Sequence, residues 1–250
     1  MSTPPTGFRR ARTPENKQVR AHALIDAARM LALREGVRGV TLNEIAATAG
    51  VHASAVRRYF ESREEIYLRL AATEWDGWAT TVEGELDRTG TLSARNLAAV
   101  LARTLADRPL FCDLLAHAPL SLERSVSAES VRAYKLRALD AVESVVAALR
   151  RALPELSERD GVDLIAALTS MVGTLWQIAN PSQTMALVYA EDPRLAHSAA
   201  DFLPRLTRLA EALVLGLPAV DAHAPGADAT DAPDSPGAAD APDGRPARHE

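Results

Sequence analysis

Apolar residues recur at helical spacing along most of the chain between residues 14 and 217. They lie three, four and seven positions apart, so that each segment has one apolar stripe and one polar face. Alanine and leucine dominate these segments, and both residues favour helix. Alternation of apolar and polar residues, which would predict strands, is not convincing anywhere. The pattern predicts an all-α protein of about nine helices.

Residues 41–69 contain the most informative pattern, TLNEIAATAGVHASAVRRYFESREEIYLR. Thr41 and Glu44 form a capping box, which predicts the start of a helix. Gly50 follows the last apolar position of that helix, where a left-handed conformation is needed to end it. A second helix is expected over about residues 52–60. Two helices joined by a glycine turn at this spacing predict a helix-turn-helix, whose second helix enters the major groove of DNA.

The expected second helix has a basic face opposite its apolar face. Val51, Val56 and Phe60 lie on the apolar side. On the other side, arginine can reach a guanine edge or a phosphate, and a tyrosine hydroxyl can bond a phosphate. Short residues at the start of the helix would let its backbone approach the groove. The candidate DNA-contacting residues of this region are Thr41, His52, Ala53, Ser54, Arg57, Arg58, Tyr59 and Arg63.

Charge is distributed unevenly along the chain, whose formal net charge is −5. Residues 1–75 hold 12 Lys and Arg against 8 Asp and Glu, residues 76–220 hold 14 against 18, and residues 221–250 hold 2 against 7. Positive charge is therefore concentrated around the helix-turn-helix, as a DNA-facing domain requires. Three further cations, Arg9, Arg10 and Arg12, lie in a polar N-terminal segment, which is either a solvated tail or an arm that contacts phosphates or the minor groove.

This ordered set of features resembles the DNA-binding signature of the TetR (tetracycline repressor) family of bacterial transcription regulators. The matching elements are the turn Gly50-Val51, the stretch Arg57-Arg58-Tyr59-Phe60 and the cap Ser62-Arg63-Glu64-Glu65. The family usually has Tyr in place of Arg57 and Lys in place of Arg63. The resemblance is strong over about residues 15–70; beyond residue 75 it rests on the number of helices.

The resemblance implies a cytoplasmic homodimeric regulator, most often a repressor, that binds a palindromic DNA operator. The expected organisation is a basic flexible arm (1–13), a three-helix DNA-binding domain (14–70) and a helical effector-binding and dimerisation domain (71–217). Residues 218–250 are rich in Ala, Asp and Pro, with no large apolar residue after Val220. Such a segment cannot bury enough surface to offset its ordering entropy, so an acidic disordered tail is expected.

Two further expectations about the helical domain come from the resemblance. Helices near 158–179 and 194–216 would pair with those of a second subunit; packing within one subunit is the alternative. The interior would bind a small effector, usually an apolar or aromatic one, whereas ordinary core packing is the other interpretation of the same residues. The candidates for this pocket are Trp75, Trp78, Phe111, Cys112, His117, Met171, Trp176 and Gln177.

The sequence does not predict an enzyme, a metal site or a bound cofactor. The six histidines and the single cysteine are not spaced as metal ligands, and neither a phosphate-binding glycine loop nor a nucleophile elbow is present. No run of eighteen apolar residues predicts a membrane span. The alternative to a DNA-binding regulator is a helical module that binds a ligand or a protein and makes little use of its DNA motif.

Overall fold

The computed structural model describes residues 14–192, 194–195 and 201–222. Within these residues the chain forms ten α-helices and no strand, which confirms the predicted all-α class. The helices are α1 (Pro14–Glu35), α2 (Leu42–Thr48), α3 (Ala53–Val56), α4 (Arg63–Thr89), α5 (Ala94–Ala106), α6 (Pro109–His117), α7 (Ala128–Ala152), α8 (Glu158–Ala179), α9 (Gln183–Glu191) and α10 (Phe202–Ala222). A π-helical turn, Ala118–Leu122, and a 3-10 turn, Glu123–Ser125, connect α6 to α7.

Serine or threonine side chains cap the starts of six helices. In each case the hydroxyl oxygen accepts a hydrogen bond from the backbone N–H three residues later, which satisfies one of the free donors at the helix end. Each cap of this kind stabilises a helix by about 1 kcal/mol. The capping residues are Thr41, Ser62, Ser93, Ser127, Ser157 and Ser182.

The first three helices and the start of α4 form a small unit. Helix α1 packs on α2 and α4, and α2 packs on α3. In the rest of the chain α4 packs on α7, α10 packs on α5 and α8, and α6 packs on α8. A single hydrophobic core runs through both parts, because α4 belongs to both.

Helices α6 and α8 approach one another closely at Gly173. A Cβ atom built there would lie 2.8 Å from the backbone nitrogen of Ala116 and 2.9 Å from its Cα. Backbone atoms cannot move aside as the end of a flexible side chain can, so only glycine fits at this position. The backbone of α6 therefore rests directly on α8.

The second helix of the helix-turn-helix is shorter than predicted. Regular α-helix covers only Ala53–Val56 rather than residues 52–60, and residues 57–59 form a turn. The N–H groups of Arg58 and Tyr59 donate to carbonyls three residues back, at 3.1 and 2.8 Å, so the chain still coils in the helical sense. The tighter coil turns Phe60 into the core just before the cap at Ser62 begins α4.

The C-terminal part differs from the sequence prediction at two places. Helix α9 was not predicted, because its residues do not form a strong apolar stripe. In the structure none of its described residues is buried. The last helix, expected over about 194–216, begins at Phe202 and continues through Pro218 to Ala222. A proline in the final turn removes one intrahelical hydrogen bond near an end where carbonyls already lack partners. Residues 196–200 between α9 and α10 lie outside the described part of the chain.

Helix α8 is the one described helix that is long and apolar enough to cross a membrane. The core helices of many globular proteins have the same length and composition. Here Leu164, Ile165, Leu168 and Val172 of α8 are buried against neighbouring helices of the same chain. Its apolar character is accounted for on that side by packing within the protein.

Candidate nucleic-acid interface

The start of α2 is fixed by the predicted capping box. The Thr41 hydroxyl accepts a hydrogen bond from the backbone N–H of Glu44 at 3.3 Å, and the Glu44 carboxylate accepts one from the backbone N–H of Thr41 at 2.7 Å. These bonds from the Thr41 backbone and hydroxyl hold the pKa of Glu44 below its usual range. The hydroxyl also donates to Glu44 at 2.7 Å, so within the cap it is already engaged as donor and acceptor.

A glycine turn joins α2 to α3. Gly50 has a φ of +64°, which a residue with a side chain adopts only at a cost. The backbone N–H of Val51 donates to the carbonyl of Ala46 at 2.9 Å and closes the turn. Val51 and Val56 are then buried next to α2, so the orientation of α3 is set by its apolar side.

The opposite side of α3 is exposed. His52, Ser54, Arg57 and Arg58 face solvent. Ala53 and Tyr59 are partly buried and pack against the core, so the small residue and the aromatic ring lie at the edge of this face. The two arginines are adjacent in sequence and follow directly after Val56, which is fully buried. The predicted polar residues are therefore brought together on one accessible surface, which we call the α3 face.

His52 also has a structural role at the start of α3. Its Nδ1 atom accepts from the backbone N–H of Ser54 at 3.3 Å and lies 2.8 Å from the Ser54 hydroxyl oxygen. A neutral imidazole that accepts at Nδ1 carries its proton on Nε2. The outer edge of the ring is thus left as a hydrogen-bond donor, which suits a phosphate oxygen or a base acceptor.

Arg63 is placed differently from the prediction. Its Nη1 atom donates to the backbone carbonyls of Val37 and Val40, at 2.9 and 2.8 Å, and its Nε atom donates to Glu64 at 3.0 Å. The guanidinium group also lies over the Tyr67 ring, 5.3 Å from the centroid. These contacts engage the cation inside the protein, where it holds the loop between α1 and α2 to the start of α4.

Three of the residues proposed for an effector pocket form a packed aromatic cluster instead. The rings of Trp75, Trp78 and Phe111 lie with centroids 5.1 to 5.9 Å apart. The indole N–H groups of the two tryptophans donate to Tyr134 at 3.3 Å and Thr104 at 3.1 Å. All three rings are buried, and their polar atoms are satisfied within the protein, so the cluster is core.

Cys112 and Met171 also differ from the predicted pocket. The Cys112 thiol is fully buried and bonds the carbonyl of Leu105 at 3.2 Å. Burial raises the pKa of this thiol to about 12, so the reactive thiolate does not form at neutral pH. Met171 is partly buried and packs against the hydrophobic core. Neither residue lines the cavity that the next residues form.

His117, Trp176 and Gln177 do lie together. They line a cavity of about 610 Å³ between the loop after α1, helix α6 and the end of α8. This volume falls in the range of small-molecule sites. The cavity lies against the helix-turn-helix unit rather than inside the helical domain, which is where the sequence had suggested a pocket.

Asp113, in the floor of this cavity, was missed by the sequence analysis. It is only 7% exposed, and its carboxylate accepts from the backbone N–H of Val37 at 2.6 Å and from the Gln177 amide at 2.6 Å. The His117 Nε2 atom lies 3.4 Å away. Burial by itself would raise the pKa of Asp113, but the hydrogen bonds from His117, Val37 and Gln177 outweigh it and hold the pKa below its usual range. Asp113 therefore joins α6 and α8 to the loop that enters α2.

A second contact joins the helix-turn-helix unit to the helical domain at α7. The Glu61 carboxylate accepts from the backbone N–H of Ser127 at 2.8 Å and from the Ser130 hydroxyl at 3.0 Å. The bond from the Ser127 backbone is the main cause that holds the pKa of Glu61 below its usual range. The segment between α3 and α4 is thus attached to the first turn of α7.

A third contact is an ion-pair network around Glu74 of α4. Arg29 of α1 donates to one carboxylate oxygen of Glu74, and Arg108 donates to the other at 3.2 Å. Arg108 also donates to the carbonyl of Gly77 at 2.7 Å and to the hydroxyl of Thr81 at 2.9 Å. Glu74 is buried, and its two partners satisfy it from both sides.

Some predicted features cannot be placed. Arg9, Arg10 and Arg12 of the proposed arm, and residues 223–250 of the proposed acidic tail, lie outside the described residues. In the part of the chain that is described, no three His, Cys, Asp or Glu side chains are grouped so that they could hold a metal ion.

Two family models match the sequence. The model for bacterial regulatory proteins of the tetR family covers residues 24–70, and the model for the tetracyclin repressor-like C-terminal domain covers residues 72–221, more than half of the chain. The boundary between the two matches falls within α4, the helix shared by both parts of the core. No curated protein matches the sequence.

Several solved structures are similar to this chain at low sequence identity. A putative TetR-family transcriptional regulator from Mesorhizobium loti is 17% identical, with 82% of this chain and 97% of that chain covered and a TM-score of 0.49. A putative transcriptional regulator from Pseudomonas aeruginosa is 19% identical, with 85% and 95% covered and a TM-score of 0.49. The repressor FadR from Thermus thermophilus, solved with lauroyl-CoA, is 20% identical, with 87% and 100% covered and a TM-score of 0.47.

Proposed function

Since the chain belongs to the TetR family of bacterial transcriptional regulators, we propose that it is a repressor that binds a palindromic operator as a homodimer and is released by a small molecule. The α3 face is the observation that carries this proposal. Arg57 and Arg58 are exposed directly after the buried Val56, so the core fixes the backbone from which their side chains extend. A guanidinium can bond two acceptors of one guanine or bridge to phosphates.

A dimer is proposed because one short α3 face contacts too few base pairs for a specific site. Two copies related by a two-fold axis would contact half-sites roughly 34–36 Å apart, or a multiple of that distance. The outward sides of α8 and α10 are suited to the subunit contact. Val162, Ala166 and Ser170 recur every four residues on the exposed side of α8, and Leu215 of α10 is 60% exposed. Small side chains in this spacing let a second pair of helices approach closely.

Release by a small molecule is proposed from the connections between the two parts of the chain. Asp113, Glu61 and Glu74 each form hydrogen bonds that join the two parts, so a change in the position of α6, α7 or α8 would shift the helix-turn-helix unit. An effector that prefers one position would change the population of the DNA-competent state. A differential binding free energy of about 1–3 kcal/mol is enough for the five- to 150-fold coupling usual in allosteric proteins. The protein is proposed to act in the cytoplasm and to regulate transcription without catalysing a reaction.

The experiment is selection of bound sequences from a random double-stranded DNA pool by the purified full chain. An enriched inverted repeat is expected, and the double variant Arg57→Ala/Arg58→Ala should lose the enrichment while retaining its helical circular dichroism. Sedimentation equilibrium on the same sample measures whether the protein is a dimer. A folded, dimeric protein that enriches no sequence at low salt would contradict the proposal and favour a module that binds a ligand or a protein.

A further inference from the structure

The cavity beside the loop after α1 has one apolar side and one polar floor. Leu33 of α1, Leu110 of α6 and Trp176 of α8 contribute apolar surface, and Asp113, His117 and Gln177 contribute the polar groups. Its volume of about 610 Å³ is sufficient for a small organic molecule. Residues of four helices (α1, α6, α8 and α9) and the loop after α1 meet here, so a molecule in the cavity would contact both parts of the protein.

The floor carries a buried negative charge, and among the described residues its one side-chain partner able to carry a positive charge is the His117 ring. Among the described residues, the Asp113 carboxylate is paired with no lysine or arginine. Its partners are the neutral Gln177 amide, the backbone N–H of Val37 and the His117 ring. A protonated amine would add the attraction of opposite charges to its hydrogen bond, which the neutral donors of Val37 and Gln177 do not supply.

The two arginines that line the cavity, Arg34 and Arg38, do not neutralise Asp113. Arg34 pairs with the neighbouring Glu35 at 2.5 Å. Arg38 is exposed at the rim, where water and salt screen its charge. The electrostatics of the interior are therefore dominated by Asp113, and they favour a positively charged occupant.

The Trp176 ring provides the second element that suits a cation. It lines the cavity and is held by an edge-on contact with Phe202, with ring centroids 5.4 Å apart. The face of an indole ring attracts organic cations, and its surface also accommodates an apolar or aromatic body. A buried carboxylate and an indole in one cavity discriminate against neutral and anionic molecules of the same shape.

We propose that this cavity binds a small organic amine, whose protonated nitrogen donates to Asp113 and whose apolar or aromatic body lies against Trp176. The binding itself is inferred from the cavity alone. Its effect on operator affinity rests on the proposed regulatory function. The ammonium group takes the place of the Gln177 amide at the carboxylate. Because the same carboxylate holds the N–H of Val37, occupancy changes the contact that positions the loop leading into α2.

The binding test uses three probes with one body and different head groups: 4-phenylbutylamine, 4-phenylbutanol and 4-phenylbutyrate. Titration calorimetry on the full chain measures the dissociation constant of each. The amine is expected to bind at least about tenfold more tightly than the alcohol, and the carboxylate more weakly still. Equal affinities for the amine and the alcohol, or the absence of saturable amine binding up to about 10 mM, would overturn the proposal.

Two variants assign the effect to Asp113. Asp113→Asn should lower amine affinity to that of the alcohol, whereas Asp140→Asn, which changes an exposed carboxylate on α7, should leave all three affinities unchanged. Gln177→Met changes an exposed residue and removes the competing amide, so it should tighten amine binding and leave binding of the alcohol nearly unaltered. An amine preference that survives in Asp113→Asn, or that is unaffected by Gln177→Met, contradicts the assignment.

The regulatory consequence is measured separately from the binding. Operator affinity with and without saturating 4-phenylbutylamine should differ by about fivefold or more. Amine binding that leaves operator affinity unchanged would retain the ligand site and refute its coupling to DNA. If the protein selects no operator, the proposed function fails, while the calorimetry still decides whether the cavity binds amines.

Discussion

The carboxylate of Asp113 in α6 accepts a 2.6 Å hydrogen bond from the backbone N–H of Val37, 76 residues earlier in the chain. Val37 follows Gly36, whose φ of +76° ends α1 and turns the chain toward α2. The same carboxylate is bonded by Gln177 of α8. One buried side chain thus connects the two parts of the protein at the point where the helix-turn-helix begins.

Replacement of Asp113 by alanine should weaken this connection measurably. The N–H of Val37 would be left buried without a partner, so the free energy of unfolding should fall by about 1–3 kcal/mol. Amide hydrogen exchange at Val37 should also become faster, because the loop is no longer held. Denaturant unfolding and exchange measured by NMR test both effects, with Asp140→Ala on the exposed side of α7 as the control. Unchanged exchange at Val37 would show that the bond does not hold the loop.

Replacement of Arg57 or Arg58 by alanine should weaken operator binding without unfolding the protein. A guanidinium that bonds a guanine edge contributes about 1–3 kcal/mol to the binding free energy at that base pair. One that contacts a phosphate contributes instead to the salt dependence of DNA affinity. Loss of a phosphate contact should reduce the slope of log affinity against log salt concentration by about 1. Fluorescence anisotropy at several salt concentrations distinguishes the two roles.

The matched control for these variants is Arg132→Ala, which removes an exposed arginine from α7. It should leave operator affinity and its salt slope unchanged. If all three variants bind like the wild type, the α3 face is not the DNA-contacting surface.

Two glycine-to-alanine substitutions should change stability in opposite directions. At Gly173 the new Cβ would collide with the backbone of Ala116, so Gly173→Ala should destabilise the protein by about 1–3 kcal/mol. At Gly84, on the exposed side of α4, no atom lies within 4 Å of the new Cβ. Gly84→Ala should therefore stabilise the helix by about 0.5–1 kcal/mol. Thermal unfolding of both variants checks the signs, and stabilisation by Gly173→Ala would refute the close contact between α6 and α8.

Tyr67→Phe should stabilise the protein, because the Tyr67 hydroxyl is buried and has no hydrogen-bond partner among the described residues. Removal of an unsatisfied buried hydroxyl is expected to raise the free energy of unfolding by about 1 kcal/mol. Denaturant unfolding at neutral pH measures the change. A loss of stability would indicate that the hydroxyl has a partner, such as an ordered water molecule.

The same substitution should also alter the response to alkaline pH. Burial raises the pKa of Tyr67 from 10.0 to about 12 in the folded protein. Because the folded-state pKa is the higher one, the contribution of the neutral phenol to stability is complete below pH 10 and is lost as the pH rises toward 12. Tyr67→Phe should lose less stability than the wild type over this range, and an identical loss in both proteins would contradict the shift.

The sequence was sufficient to predict those features that depend on neighbouring residues. The cap at Thr41, the turn at Gly50 and the cap at Ser62 are formed by groups within a few positions of each other, so their spacing determines them. The apolar side of α3 followed from the same periodicity. This local order is what made the DNA-binding motif recognisable.

Contacts between distant segments could not be predicted in the same way. Arg63 was expected to contact DNA, but the carbonyls that engage it belong to Val37 and Val40, in the loop between α1 and α2. Nothing in the sequence likewise indicated that the Trp75 and Phe111 rings would pack against each other rather than line a pocket. Such roles depend on which segments meet in three dimensions, and helical periodicity does not specify the partner.

The three carboxylates that join the two parts of the protein have a mechanical consequence. Asp113 holds the loop before α2, Glu61 holds the segment before α4, and Glu74 holds α1 through Arg29. A body supported at three separate points cannot pivot about one of them without straining the other two. The helix-turn-helix unit should therefore move as one rigid body. Effector binding should switch it between two positions rather than tilt it gradually.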